Sequence, residues 1–308
     1  MTRFLIRHAA LAMALGVFAG LLFPPAAAAL HPWIPEMVMA LLTTTLLRLD
    51  VRLLGAYVRR PGLPLLVIAW LLLGLPLLAW ALTRLLPLPP AISLALLLNA
   101  ATPPLMGAPA MALILGLDAE LAAVVTYSIT LVFPISLTLL LASGALPMIA
   151  RPTLGEVLPT VGLLVGGPVC VSFILRRVIP AATLRRIGLH LDVISVSALI
   201  VSAVALMHGA NLALAADAWT ALAPCLASLA FNLAGQGLTI ALFHRLGFAR
   251  MLCLGLMAGN RNLALTLGAT AAISGTDFAA YVAFGQLPIY LTPMILARIS
   301  RYHRRRTT

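Results

Sequence analysis

From Phe248 to Ile273 the chain is almost wholly apolar, yet its middle reads Met257-Ala258-Gly259-Asn260-Arg261-Asn262-Leu263. A guanidinium at mid-membrane depth costs about 3 kcal/mol or more, so such a residue is kept where it faces a polar cavity or partner. Gly259, Asn260 and Asn262 beside it fit a broken helix better than a smooth one. In lipid, a helix break is tolerated only where protein or a wet cavity satisfies the freed backbone. The stretch therefore predicts an interrupted membrane helix with a binding site at mid-depth.

A membrane setting is required by the whole chain. Hydrophobic residues make up 62% of it, charged residues 9%, and mean hydropathy is +1.09. Soluble domains carry about 25% charged residues, and 308 residues cannot bury this much apolar surface in one core. The expected class is an all-α polytopic membrane protein. The net charge of +12 comes from twenty Arg residues that cluster between apolar runs. That pattern encodes orientation, not a nucleic-acid surface, so no nucleic-acid partner is expected. Cys170, Cys225 and Cys253 lie in apolar runs without metal-ligand spacing and read as small buried hydrophobes. Arg3 and Arg7, an apolar run and Ala26 to Ala29 also fit a cleaved signal peptide. The repeat described below instead needs this segment as its first helix.

A helix needs roughly 20 apolar residues to span a bilayer. On that scale ten spans are predicted, at 8–24, 33–48, 63–85, 90–117, 119–144, 156–176, 190–210, 220–244, 248–273 and 278–299. With the N-terminus inside, the cytoplasmic segments take Arg3, Arg7, Arg48, Arg52, Arg59, Arg60, Arg176, Arg177, Arg185, Arg186, Arg245, Arg250, Arg298, Arg301 and Arg304 to Arg306. The outer loops take only Arg84 and Arg151. Such asymmetry favours an even number of spans with both ends inside. Asp118 and Glu120 fall in a loop placed inside, but acidic residues contribute little to this rule.

The fourth span is interrupted by Pro103, Pro104, Gly107 and Pro109, and the ninth by Gly255 and Gly259. These positions match if residues 1–150 and 151–308 are two five-helix halves, which are then inverted relative to each other. Paired interrupted helices of this kind point to the substrate site of a secondary transporter.

Asn99-Ala100-Ala101-Thr102-Pro103-Pro104, the run from Ala110-Met111-Ala112-Leu113 to Gly116-Leu117-Asp118, and Gly259-Asn260-Arg261-Asn262 resemble the bile acid:sodium symporter family in its bacterial ten-helix form. The similarity covers roughly 8–300. It implies two inverted five-helix repeats, with helices 1, 2, 6 and 7 as a panel and helices 3–5 and 8–10 as a core. Helices 4 and 9 would unwind and cross, with substrate bound beside the crossing and alternating access by movement of one domain against the other.

The chain departs from that family at its cation site. Where relatives carry Pro-Gly-Gly, two residues and then Ser-Asn, this chain has Pro103, Pro104, Leu105 and then Ala108-Pro109. Where relatives carry Glu-x-Gly-x-Gln-Asn, it has Met257 for Glu and Arg261 for Gln, keeping Gly259 and Asn262. Sodium is a hard cation that wants oxygen ligands. Glu36, Asp50, Asp118, Glu120, Glu156, Asp192, Asp217 and Asp277 all fall near span ends, so no carboxylate is expected at mid-depth. Arg261 is expected to replace bound sodium with a tethered charge. Its five donors suit a carboxylate or sulfonate gripped in bidentate fashion, with half-helix N-termini adding favourable dipoles.

Other candidates carry bland alternatives. Arg261 also suits a structural role, pinning unwound carbonyls of helix 4. Asn260 and Asn262 suit substrate contact or helix caps. Asn99 and Thr102 suit substrate contact, and Thr102 also suits a bond to its own helix backbone. Thr126, Ser128 and Thr130 match the family's hydroxyl-ligand region, but interhelical hydrogen bonding explains them equally. Asn232 and Gln236 are one turn apart and share a face, which suits substrate contact or the core, and Pro109 is a further substrate-contact candidate. Thr43 to Thr45 are candidates for the panel side, and His208 for a proton carrier or an idle interfacial residue. Gly166-Gly167-Pro168 and Ser274-Gly275-Thr276 read as packing or turns.

No phosphate-binding loop is present, and the chain has no Lys to complete one. No paired carboxylates, metal cluster or nucleophile appears at depth. The expected function is secondary active transport of an organic anion, not enzyme catalysis, with no cofactor and with sodium dispensable. The alternatives are a sodium-coupled symporter using hydroxyls and carbonyls, and a non-transporting membrane sensor or scaffold. The expected location is a bacterial inner membrane with both ends cytoplasmic. Arg304 to Arg306 suit anionic headgroups or, like most such runs, a topology signal.

Overall fold

The computed structural model describes residues 9–48, 57, 59, 61–146, 154–271 and 275–307. Arg3, Arg7, Asp50, Arg52, Arg60, Arg151 and Ser274 lie outside the described residues. Among the described residues every regular element is a helix, and one isolated β-bridge joins Pro104 and Arg261.

The first half of the chain carries α1 (Ala9–Leu22), α2 (Pro24–Leu30), α3 (Ile34–Arg48), α4 (Gly62–Ala69), α5 (Leu75–Leu85), α6 (Pro90–Ala101), α7 (Ala108–Leu115) and α8 (Ala119–Ala142). The second carries α9 (Leu154–Val161), α10 (Gly167–Val178), α11 (Ala181–Arg186), α12 (Gly188–Ala216), α13 (Leu222–Leu242), α14 (Phe248–Gly259), α15 (Leu263–Ala269) and α16 (Gly275–Thr307). Among the described residues six helical stretches are long and apolar enough to cross a membrane, and seven if Leu11–Leu22 and Pro24–Arg48, bent by 109°, count as one. Large apolar side chains such as Ile114, 82% exposed, cover the outside. A surface of that kind belongs against lipid. The chain is a multi-pass membrane protein.

Proline placement explains most of the irregularities. Pro24 and Pro25 lie in the first turn of α2 and restart the helix after Phe23, which gives the bend. α4 and α5 are one continuous helix joined by a π-helical turn, Trp70–Gly74. α9 and α10 are joined in the same way through Gly162–Gly166. Each π turn ends just before a proline in the next helix, Pro76 or Pro168. A proline has no N–H for the carbonyl four residues back and clashes with it, and the wider turn absorbs both faults. The Gly166-Gly167-Pro168 run is therefore a change of helical pitch, since a side chain at Gly166 would meet nothing within 4 Å.

α12 runs through the middle of one packed layer, against α1, α2, α3 and α16. A Cβ on Gly209 would lie 2.4 Å from the backbone of Ala279, so α12 and α16 touch through their main chains. Close backbone approach through small residues is how membrane helices gain packing without a hydrophobic drive. A second apolar cluster, including Val67, Leu71, Ala108, Leu121, Val125 and Met257, joins α4, α7, α8 and α14.

The break in the ninth predicted span is not where the glycines suggested. α14 runs unbroken through Gly255 to Gly259, and the interruption falls at Asn260 to Asn262. A Cβ on Gly255 would lie 2.6 Å from Ile240, and one on Gly259 would lie 2.3 Å from Gln236. Both glycines admit α13 against α14; neither breaks the helix.

Candidate binding site at the crossing of two broken helices

α6 ends at Thr102, whose backbone is extended at φ −64° and ψ 138°. Pro103 forces this, because a residue before proline is driven out of the helical region. α14 ends at Asn260, extended at φ −90° and ψ 92°. The two extended pieces meet antiparallel. Leu105 N–H donates to the Asn260 carbonyl at 2.8 Å, and Asn262 N–H donates to the Pro103 carbonyl at 2.9 Å. Each break therefore satisfies backbone groups the other has freed, which buried backbone requires.

Arg261 lies at the centre of this crossing and is 1% exposed. Its Nε donates to the Ala258 carbonyl at 2.9 Å and its Nη1 to the Thr102 carbonyl at 2.7 Å. Those carbonyls stand at the C-terminal ends of α14 and α6, where the helix dipoles are negative. Nη2 has no hydrogen-bond partner. Among the described residues the two ion pairs are Arg48 with Asp192 and Arg250 with Asp118, so no carboxylate pairs with Arg261 there.

Around the guanidinium lies a connected polar network. Asn260 Oδ1 accepts from Asn232 Nδ2 at 3.2 Å and from Thr292 Oγ1 at 3.1 Å. Asn232 Nδ2 also donates to the Gly259 carbonyl at 2.8 Å, and Gln236 Nε2 donates to Asn232 Oδ1 at 2.7 Å. Asn262 Oδ1 caps α15 by accepting from Leu265 N–H at 3.4 Å. Thr102 Oγ1 donates to the Leu98 carbonyl at 2.7 Å and lies 2.6 Å from Thr266 Oγ1. Asn99 Nδ2 donates to Tyr281 Oη at 2.7 Å. Four buried atoms at the crossing have no partner: Asn99 Oδ1, Asn260 Nδ2, Arg261 Nη2 and Asn262 Nδ2.

The structure thus gathers Arg261, Asn260, Asn262, Thr102, Asn232 and Gln236, and sets Asn99 beside them through α6. Pro109 is half-buried in the first turn of α7, and Ala108 is buried in the apolar cluster. On α8, Thr126 Oγ1 donates to Met257 Sδ at 3.7 Å. Thr130 Oγ1 donates to the Thr126 carbonyl at 2.8 Å and to Met106 Sδ at 3.5 Å. Ser128 is half-buried, two residues from each threonine, and so on another face of α8. Thr43 and Thr45 bond back to their own helix, and Thr44 also meets Ser195 Oγ at 2.7 Å. His208 lies beside His31, with ring centroids 4.9 Å apart and the rings tilted by 53°.

Sequence reasoning missed Thr292, Tyr281, Thr266 and Met106 as members of this network. Thr292 carried a faint signal, being a hydroxyl one turn after Pro288 in a largely apolar stretch; Met106 carried none. It also missed a cluster at one end of the bundle. There Asp118 Oδ1 caps α8 through Leu121 N–H at 3.0 Å. Asp118 Oδ2 accepts from Tyr57 Oη at 2.7 Å and from Arg250 Nε at 3.2 Å. Burial, and then donation to this carboxylate, pushes the Tyr57 phenol up to about 12. Two apolar cavities, of about 500 and 330 Å³, lie along α5, and neither is lined by Arg261. A scan against protein-family models returns no match to this chain, and a search of curated proteins likewise returns none.

Proposed function

We propose that the chain is a secondary transporter of an organic anion working by alternating access, with Arg261 in the place of a bound cation. On this reading it has ten transmembrane helices in two inverted repeats, 1–150 and 151–308. Helices 1, 2, 6 and 7 form the panel, helices 3–5 and 8–10 the core, and both ends face the cytoplasm of a bacterium. The chain's resemblance to the bile acid:sodium symporters supports this reading.

One observation carries the reading. Three consecutive residues at the crossing, Asn260, Arg261 and Asn262, each hold a buried nitrogen without a partner. All three atoms are N–H donors, and a buried donor left unpaired costs about 1–3 kcal/mol. A carboxylate or sulfonate accepts from such donors and neutralises the guanidinium.

The residues present do not fit sodium. Met257 offers a thioether where a carboxylate would be needed, and the hydroxyls of Thr126 and Thr130 are turned onto sulfur. Arg261 already places positive charge at the two C-terminal carbonyls that would attract a cation. Those same hydrogen bonds support a second role for this side chain, holding the two breaks together.

Uptake of labelled organic anions into proteoliposomes tests the proposal. Transport should persist without a sodium gradient and vanish in folded Arg261→Gln protein. Uptake that strictly requires sodium refutes the replacement of the cation. Failure of every anion tested, with folded protein, refutes transport and favours a scaffold.

A further inference from the structure

We infer that the larger apolar cavity is a binding site for an anionic phospholipid, with the phosphate on Arg84 and one acyl chain in the groove. The cavity, of about 500 Å³, runs between α5 and α8. Its walls include Leu72, Pro76, Leu77, Leu139 and Leu140. That volume falls in the range of sites that enclose a small apolar ligand.

One end of the groove carries its charge. Arg84 lies in the last turn of α5 and also lines the cavity. Its guanidinium carbon stands 5.8 Å from the ring centre of Trp80, one turn earlier. Tryptophan beside arginine at the end of an apolar helix marks headgroup depth. Arg84 is exposed, and among the described residues no carboxylate pairs with it. A cation at the mouth of an apolar slot, at headgroup depth, matches a molecule with a phosphate at one end and hydrocarbon below. A free phosphate would use the arginine and leave the slot wet, which apolar walls disfavour.

The deep end bears on the crossing. Ala101, the last residue of α6, lines the cavity. The next residue is Thr102, whose carbonyl holds Arg261. An acyl chain in the groove therefore packs against the segment that unwinds.

Native mass spectrometry of the purified full-length chain in detergent tests this. Phosphatidylglycerol, phosphatidylcholine with the same acyl chains, and soluble glycerol phosphate serve as probes. Wild-type protein should bind phosphatidylglycerol about fivefold more tightly than phosphatidylcholine, the preference expected of one interfacial arginine. Arg84→Gln should erase that preference by weakening phosphatidylglycerol more than phosphatidylcholine. Leu77→Trp, at an exposed wall position that tolerates bulk, should weaken both lipids. An undiminished preference in Arg84→Gln overturns the inference, as does unchanged lipid binding in Leu77→Trp. Displacement of the lipid by glycerol phosphate also overturns it, because the headgroup alone would then suffice.

Discussion

Arg261, in the break between α14 and α15, donates through Nη1 to the carbonyl of Thr102, at the end of α6, across 2.7 Å. Residues 159 positions apart are thereby joined at the point where both helices lose their internal hydrogen bonds. The same guanidinium reaches back to Ala258. One charged side chain thus closes two helix ends that would each otherwise present an unpaired carbonyl inside the membrane.

Arg261→Met should therefore cost stability as well as binding. It leaves the Thr102 and Ala258 carbonyls buried without their donors, at about 1–3 kcal/mol each. Arg261→Lys should recover only part of this, because an ammonium lacks the planar fork that reaches both. Unfolding in mild detergent, followed by helical signal against denaturant, measures the loss. A Met variant as stable as wild type contradicts the geometry.

Asn232 should be nearly as sensitive. Its amide donates to the Gly259 carbonyl and to Asn260, and its oxygen accepts from Gln236. Asn232→Leu orphans the Gly259 carbonyl and the Gln236 amide, while Asn260 Oδ1 keeps Thr292, and it should cost about 2–4 kcal/mol. The midpoint of thermal unfolding reads it directly, and a change below about 0.5 kcal/mol, the level of an ordinary surface substitution, excludes the network.

Gly259→Ala probes the fit of α13 against α14. The new methyl would lie 2.3 Å from Gln236 Cγ and 2.8 Å from the Asn232 carbonyl oxygen. Overpacking of this kind costs about 1–3 kcal/mol. Gln236→Ala removes the nearer atom but not the backbone oxygen, so the double variant should recover part of the loss. A double-mutant cycle with no coupling would falsify the contact.

How much of this was legible beforehand depends on what each residue had to reveal. The break at Pro103 and Pro104 was readable because a proline pair dictates backbone angles locally. Arg261 was readable because a charge inside an apolar run has few tolerated settings. The exact break in the ninth span was not readable. Gly255 and Gly259 have the composition of a breaker, yet their missing side chains serve a neighbouring helix that is close only in the fold. Thr292 and Tyr281 were hidden for the same reason, since a lone polar group in an apolar helix does not announce which partner it meets. Thr126 and Thr130 were visible as hydroxyls, but their turn toward Met257 and Met106 depends on the crossing itself.

Those methionines make a contrasting prediction. Sulfur is a weak acceptor, so Thr126→Val should cost less than about 1 kcal/mol. It should leave the response of the melting temperature to sodium the same as in wild type. A loss of sodium-dependent stabilisation on this substitution would mean that Thr126 ligates an ion.

At the other end of the bundle, Tyr57 gives a pH signature. Its phenol is held at about 12, above the ordinary value near 10, chiefly by burial and then by donation to Asp118. A raised phenol favours the folded state while protonated. Its contribution is full below pH 10 and is lost as pH rises toward about 12. Tyr57→Phe should remove that alkaline slope from the stability curve while leaving the neutral region little changed, as read by unfolding at stepped pH. An identical alkaline slope in the variant would place the titration elsewhere.

The most direct measurement is equilibrium binding of radiolabelled sodium to purified protein, wild type beside Arg261→Gln. With the guanidinium seated on the Ala258 and Thr102 carbonyls, wild-type protein should show no saturable sodium binding. Stoichiometric, saturable binding to the wild type would mean that a metal ion and Arg261 share the crossing, and the replacement of one by the other would be contradicted.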